Sequence, residues 1–256
     1  MRFRIVCVSL MLQLVAAAQG THSQLEFEVA SVKLTPLEVV RQSPSTTQAH
    51  PGSLTMRSVR LRTCIDWAYS LKEYQVLGPD WLGAPGWLGI DVARYDILAK
   101  AAADTPVSDL RLMLRALLMD RFKLAFHMET RQVPAYGLTV PKLSPMLRAS
   151  DDQTRSGSMT AKDSVVSVQS TTMTEFADWL SGPLHAPVLD MTNLGGRFDF
   201  QWDVSRYASG NEHEELNVPS FYMNIVQDAL GMKLDRRRTS LEVMVIDRLE
   251  KRPTEN

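Results

Sequence analysis

The chain has 256 residues with 28 basic and 29 acidic side chains, a formal net charge of −1, so it lacks the cationic excess of a protein built to bind nucleic acid or an anionic surface. Its length is ample for a hydrophobic core, and its two cysteines, Cys7 and Cys64, exclude a disulfide framework as the main source of stability.

In chain order, Arg2 and Arg4 precede an apolar stretch over residues 5–15, and Ala16-Ala17-Ala18 then supplies small residues for cleavage. This pattern predicts a secretory signal peptide over residues 1–20, whose apolar stretch is too short for a membrane-spanning helix. Its removal takes away two arginines and no acid, which brings the formal charge to −3 and leaves Cys64 as the single thiol. Cys7 lies inside the apolar stretch and not at the cleavage point, so no lipid anchor is expected. No later apolar run reaches spanning length, and the expected location is secreted or periplasmic.

Residues 27–33 alternate as a strand ahead of a polar, proline-containing loop over residues 35–52, so residues 21–53 read as a leading strand and loop. Residues 54–59 alternate again. Leu61, Cys64, Ile65, Ala68 and Tyr69 then recur at three- and four-residue spacing, a helix with one apolar face. On that face Cys64 reads as a small buried hydrophobe. Residues 74–77 and 94–100 are predicted strands around a Gly- and Pro-rich insert, residues 78–89. Leu110, Met113, Leu114, Leu117 and Leu118 mark a second helix, followed by strands over residues 123–129 and 133–141. The polar residues 143–164 read as a linker or long loop.

The order then repeats. Residues 165–169, 188–190 and 197–204 read as strands, and Thr172 and Glu175 have the spacing of a capping box for a helix running through Leu180. A helix over residues 221–230 stops at Gly231. Residues 233–236 and 241–249 are predicted to form a hairpin around Arg236-Arg237-Arg238, read as a solvated turn. Asp66-Trp67-Ala68 is answered by Asp178-Trp179-Leu180, Arg94-Tyr95-Asp96-Ile97 by Arg197-Phe198-Asp199-Phe200, and Phe122-Lys123-Leu124 by Met232-Lys233-Leu234. Three matches in one order predict an internal duplication: an α+β protein of two units, residues 54–142 and 165–256, each with two helices packed on a small mixed sheet.

Few residues invite catalysis. The five histidines are scattered, and His213-Glu214-Glu215 lacks the second His that would complete a zinc-binding helix face, so no metal site is expected. No Gly-x-Ser-x-Gly elbow occurs, and Gly83, Gly86 and Gly89 lack the Lys-Ser/Thr of a phosphate cradle, so no cofactor is expected. Asp96 and Asp199 are the one carboxylate pair to weigh for glycoside cleavage. The competing reading has each anchoring a strand end or pairing with Arg94 or Arg197. Trp67 and Trp179 sit on apolar helix faces as core residues. Trp81, Leu82, Trp87 and Leu88 lie in the insert, either as a contact surface for a protein or sugar or as a lid over the unit's own core.

Several blocks resemble one known family: Phe27-Glu28-Val29-Ala30-Ser31-Val32-Lys33, Asp66-Trp67-Ala68-Tyr69 with Tyr74-Gln75-Val76, Asp120-Arg121-Phe122-Lys123-Leu124, and the closing Val245-Ile246-Asp247-Arg248-Leu249-Glu250-Lys251. They look like the soil-associated family of uncharacterised secreted bacterial proteins, which has no established activity. Related domains are appended to membrane metallopeptidases of the β-lactam-sensor type, which implies a sensing or protein-contact role; this chain lacks the peptidase part. Each half is also similar in pattern to the short N-terminal domain of secretins and TonB-dependent receptors, a protein-binding module, from which the insert departs. The leading expectation is non-catalytic protein binding, an adaptor or sensor whose partner is another envelope protein and whose contact is Trp81, Leu82, Trp87 and Leu88. The alternative is an envelope carbohydrate-binding protein or glycoside hydrolase using Asp96 and Asp199. Oligomeric state stays open.

Overall fold

The computed structural model describes residues 25–42, 44–82, 93–141, 146–154, 156–207 and 218–254. Among them are five α-helices and twelve strands, an α+β fold of three four-stranded sheets. No helix among the described residues is long and apolar enough to cross a membrane.

The first sheet is antiparallel. It takes β1 (Val29–Leu34), β2 (Thr46–His50), β3 (Ser53–Arg60) and β5 (Arg94–Lys100) in the order β1-β5-β3-β2. β1 leads into the short helix α1 (Leu37–Gln42). The region expected to be a loop thus contains a helix and a strand. β2 is almost wholly exposed, so it lacks the alternation that marks a half-buried strand. Its hairpin with β3 turns at Pro51-Gly52, where Gly52 has φ +74°. A Cβ there would lie 2.7 Å from the Ala102 carbonyl oxygen, so the position requires glycine on both counts.

Over this sheet pack α2 (Leu61–Tyr69) and α3 (Val107–Phe122). Leu54, Met56, Tyr95 and Ile97 from the strands meet Leu61, Cys64 and Ile65 from α2 and Leu114, Leu118 and Phe122 from α3, all essentially buried. The Tyr95 and Phe122 rings meet edge to face at 5.2 Å.

A second antiparallel sheet is built from β7 (Arg148–Ala149), β8 (Ser158–Lys162), β9 (Val165–Thr171) and β11 (Phe198–Asp203), ordered β7-β11-β9-β8. Two of these strands fall in the stretch expected to be a linker. α4 (Met173–Ser181) and α5 (Val218–Asp228) supply Phe176, Leu180, Ile225 and Val226 to a second core with Val168, Phe200 and Trp202. The predicted capping box is present: Thr172 Oγ1 accepts from Glu175 N–H and Glu175 accepts from Thr172 N–H.

The third sheet is mixed and joins the halves. β4 (Val76–Leu77), β6 (Ala125–Thr139), β10 (Val188–Asp190) and β12 (Lys233–Arg248) run in the order β10-β6-β12-β4, with β6 and β12 antiparallel and each short strand parallel to its neighbour. The chain therefore does not form the expected hairpin at Arg236-Arg237-Arg238. Those residues pair with Tyr136, Ala135 and Pro134 inside one continuous strand, and residues 123–141 likewise hold one strand rather than two. The reason is position. Phe126, Met244 and Ile246 enter the first core and Leu138 and Leu234 the second, while the middle of the ribbon lies between the cores with Thr130, Arg131, Gln132 and the three arginines exposed. Polar residues there interrupt the hydrophobic alternation without interrupting main-chain pairing.

Candidate functional site

The insert residues divide. Trp81 and Leu82 form a single 3-10 turn with Asp80. Leu82 is only 1% exposed and sits beside Ile246 above Gly78, packed in the first core. Trp81 is half-buried and packs against the first core. Trp87 and Leu88 lie outside the described residues.

Asp96 and Asp199 are on different sheets, and each has its Oδ1 committed to the backbone. At a bulge two residues ahead of the α2 cap, Ser58 takes φ 51°; its N–H donates to Asp96 Oδ1 at 2.8 Å, and Arg94 Nη1 donates to its carbonyl at 3.1 Å. Thr35 Oγ1 donates to the same carboxylate oxygen at 3.1 Å. Ahead of α4, Ser170 takes φ 49°; its N–H donates to Asp199 Oδ1 at 2.8 Å, and Arg197 Nη1 to its carbonyl at 2.6 Å. A left-handed non-glycine residue is held by clamping both its peptide groups. The repeated Arg-aromatic-Asp triplet in the sequence is the signature of this clamp.

Sequence reasoning missed a second charged group. Arg62 is 5% exposed and donates through Nη1 to the carbonyls of Glu73 at 3.0 Å and Val76 at 2.8 Å. Glu73 pairs with Arg60 at 3.4 Å and meets His185 of the other half at 3.5 Å, while Lys72 and Asp178 join the halves at 3.0 Å. Asp66 stands one turn after Arg62 on α2, and burial pushes its carboxyl up to about 7, with Glu73 adding to the rise and Arg62 and Arg60 opposing it. The four-residue spacing of Arg62 and Asp66 was visible in the sequence; their depth was not. Cys64 on the same helix is completely buried and its thiol is pushed up to about 12, which leaves it unreactive. Among the described residues no group of three or more His, Cys, Asp or Glu is placed to hold a metal ion.

A groove of about 770 Å³ opens between residues 26–30 and the C-terminal half of α3. Phe27, Val29 and Ala30 form one wall and Met113, Leu117 and Met119 the other. Val29 is 65% and Met119 45% exposed. The walls follow from helical phase: Leu110, Leu114 and Leu118 point into the core, which leaves Met113 and Leu117 on its shoulder and Met119 outside. On the rim, Asp120 pairs with Arg121 at 3.1 Å and Lys123 at 3.8 Å, whereas Glu26 and Glu28 are exposed.

A family model described as "Protein of unknown function (DUF3738)" matches residues 62–249, so the α3 wall falls within the match and the residue 26–30 wall ahead of it. No curated protein and no solved structure matches the chain.

Proposed function

The chain belongs to the DUF3738 family, whose description assigns no activity, and from that premise we propose a non-catalytic protein-binding module, an adaptor or sensor of the cell envelope that contacts its partner through the groove beside α3. The observation that carries this reading is the groove itself, a cleft with apolar walls, exposed Val29 and Met119 among them, and a charged rim. The reading takes residues 1–20 as a leader removed on export. It also takes the halves as copies of one unit, supported by the matching orders β1-β5-β3-β2 and β7-β11-β9-β8 and by the two Asp-clamped bulges. The partly accessible Trp81, with Trp87, is a second candidate contact. Carbohydrate cleavage by Asp96 and Asp199 finds no support in their geometry, since they lie on different sheets and each commits its Oδ1 to a backbone N–H.

The test is crosslinked capture from an envelope extract with protein beginning at residue 21. One saturable protein partner is expected, with its yield falling at least tenfold in Met119→Asp, the scale of a lost interface anchor. Trp81→Ala should leave the yield within about twofold if the groove is the contact. Recovery of glycan, or an unchanged yield in Met119→Asp, overturns the assignment.

A further inference from the structure

We infer that the groove takes an extended peptide segment in which apolar side chains alternate with lysine or arginine; this rests on the groove being a protein-binding site and names its occupant.

Three observations converge on that chemistry. Size comes first. About 770 Å³ holds a handful of side chains, which suits a linear segment and not the face of a folded domain. Shape is second. One wall leads directly into β1, which ends its sheet order and pairs among the described residues only with β5, so an extended partner has a strand to run beside.

Charge is third and selects the sign. Arg121 and Lys123 share the single carboxylate of Asp120, so the three acids and two bases of the lining leave it net negative, with the other two acids on the opposite lip. The side chains of Glu26 and Glu28 make no ion pair with another described residue and flank Phe27, which packs partly on the first core. Two exposed carboxylates at alternate positions, with an apolar residue turned inward between them, complement a strand that carries cations at the same period of two. A segment with acids at those positions meets like charge on the same lip.

The experiment uses protein from residue 21 and two terminally blocked octapeptides, one alternating valine with lysine and the other valine with glutamate. Binding is read by amide chemical shifts and titrated at low and high salt. The lysine peptide is expected to bind, to shift amides of residues 26–30 and 113–123, and to weaken with salt. The Glu26→Gln, Glu28→Gln double variant should weaken it roughly three- to tenfold, and Met119→Asp should abolish it. Equal binding of both peptides, or no effect of the double glutamine variant, overturns the inference. So does concentration-dependent dimerisation that shifts the same amides without peptide. Failure here while partner capture still depends on Met119 leaves protein binding standing with a different occupant; failure of both removes the groove.

Discussion

Acidification from pH 8 to pH 5 raises the melting temperature of the protein, and Asp66→Asn removes that rise. The carboxyl of Asp66 is pushed up to about 7 by burial on α2, whereas in the unfolded chain it titrates near 4. Between those values the folded protein holds a proton that the unfolded chain has released. The stabilisation is complete below about pH 4, declines as pH rises through 7, and is gone above it. A difference of about three pH units corresponds to about 4 kcal/mol between the two ends of the window, an upper bound because Arg62 and Arg60 can readjust around the ionised group. For a chain of this length that is a shift of roughly 10 °C. Asn keeps the shape and carries no charge, so Asp66→Asn should melt above the parent at pH 8, and the gap should close as pH falls toward about 4. Arg62 keeps its carbonyl partners in the variant. Glu175, Asp203 and Asp235 work in the opposite sense. Hydrogen bonds from Thr172, Ser205 and Lys233 respectively hold them below the ordinary carboxylate range, so their contribution is present above about pH 4 and lost below it. The profile should therefore peak at about pH 4. Parallel profiles for parent and Asp66→Asn would show that Asp66 is not the group responsible.

Helices α2 to α5 were legible, and where the faces are one-sided the reason is plain: Leu61, Cys64, Ile65 and Ala68 on α2, and Phe176 and Leu180 on α4, all end in the cores; the short α1 was read as loop. The strands β2 and β8 were read as loop because residues exposed on both faces carry no alternation. β6 and β12 were each read as two pieces because their middles cross the gap between cores, where burial no longer constrains the side chains. The groove depends on residues 26–30 returning over residues 113–123, a long-range contact that periodicity does not encode. The same holds for Asp66, whose titration is set by what the rest of the fold stacks above α2. The Asp-clamped bulges lie between these cases: the triplets announced two equivalent carboxylates, and only the fold shows that each ends on a serine peptide.

Asp96→Ala should therefore cost stability, not catalysis. Ser58 is 1% exposed, so removing the carboxylate leaves its N–H buried without an acceptor and Thr35 without its partner. Loss of a charged acceptor together with an unsatisfied buried donor amounts to about 2–4 kcal/mol, or roughly 5–15 °C in melting temperature. Asp199→Ala should lose slightly less, because one backbone donor and no threonine depends on it. The two sites lie on separate sheets with no shared partner, so the double variant should lose the sum. Asn supplies the discriminating control. It keeps an oxygen where the Ser58 and Ser170 N–H groups need one, so Asp96→Asn and Asp199→Asn should stay within about 1 kcal/mol of the parent. A glycosidic acid and base predict the reverse, since Asn would preserve the fold and abolish turnover. Melting curves of the five variants, read beside a polysaccharide panel, decide between them. Alanine variants as stable as the parent, or a hydrolytic activity that Asn removes, would return these aspartates to catalysis; a graded loss of stability in Ala and none in Asn assigns them to holding a left-handed serine at the start of each helix.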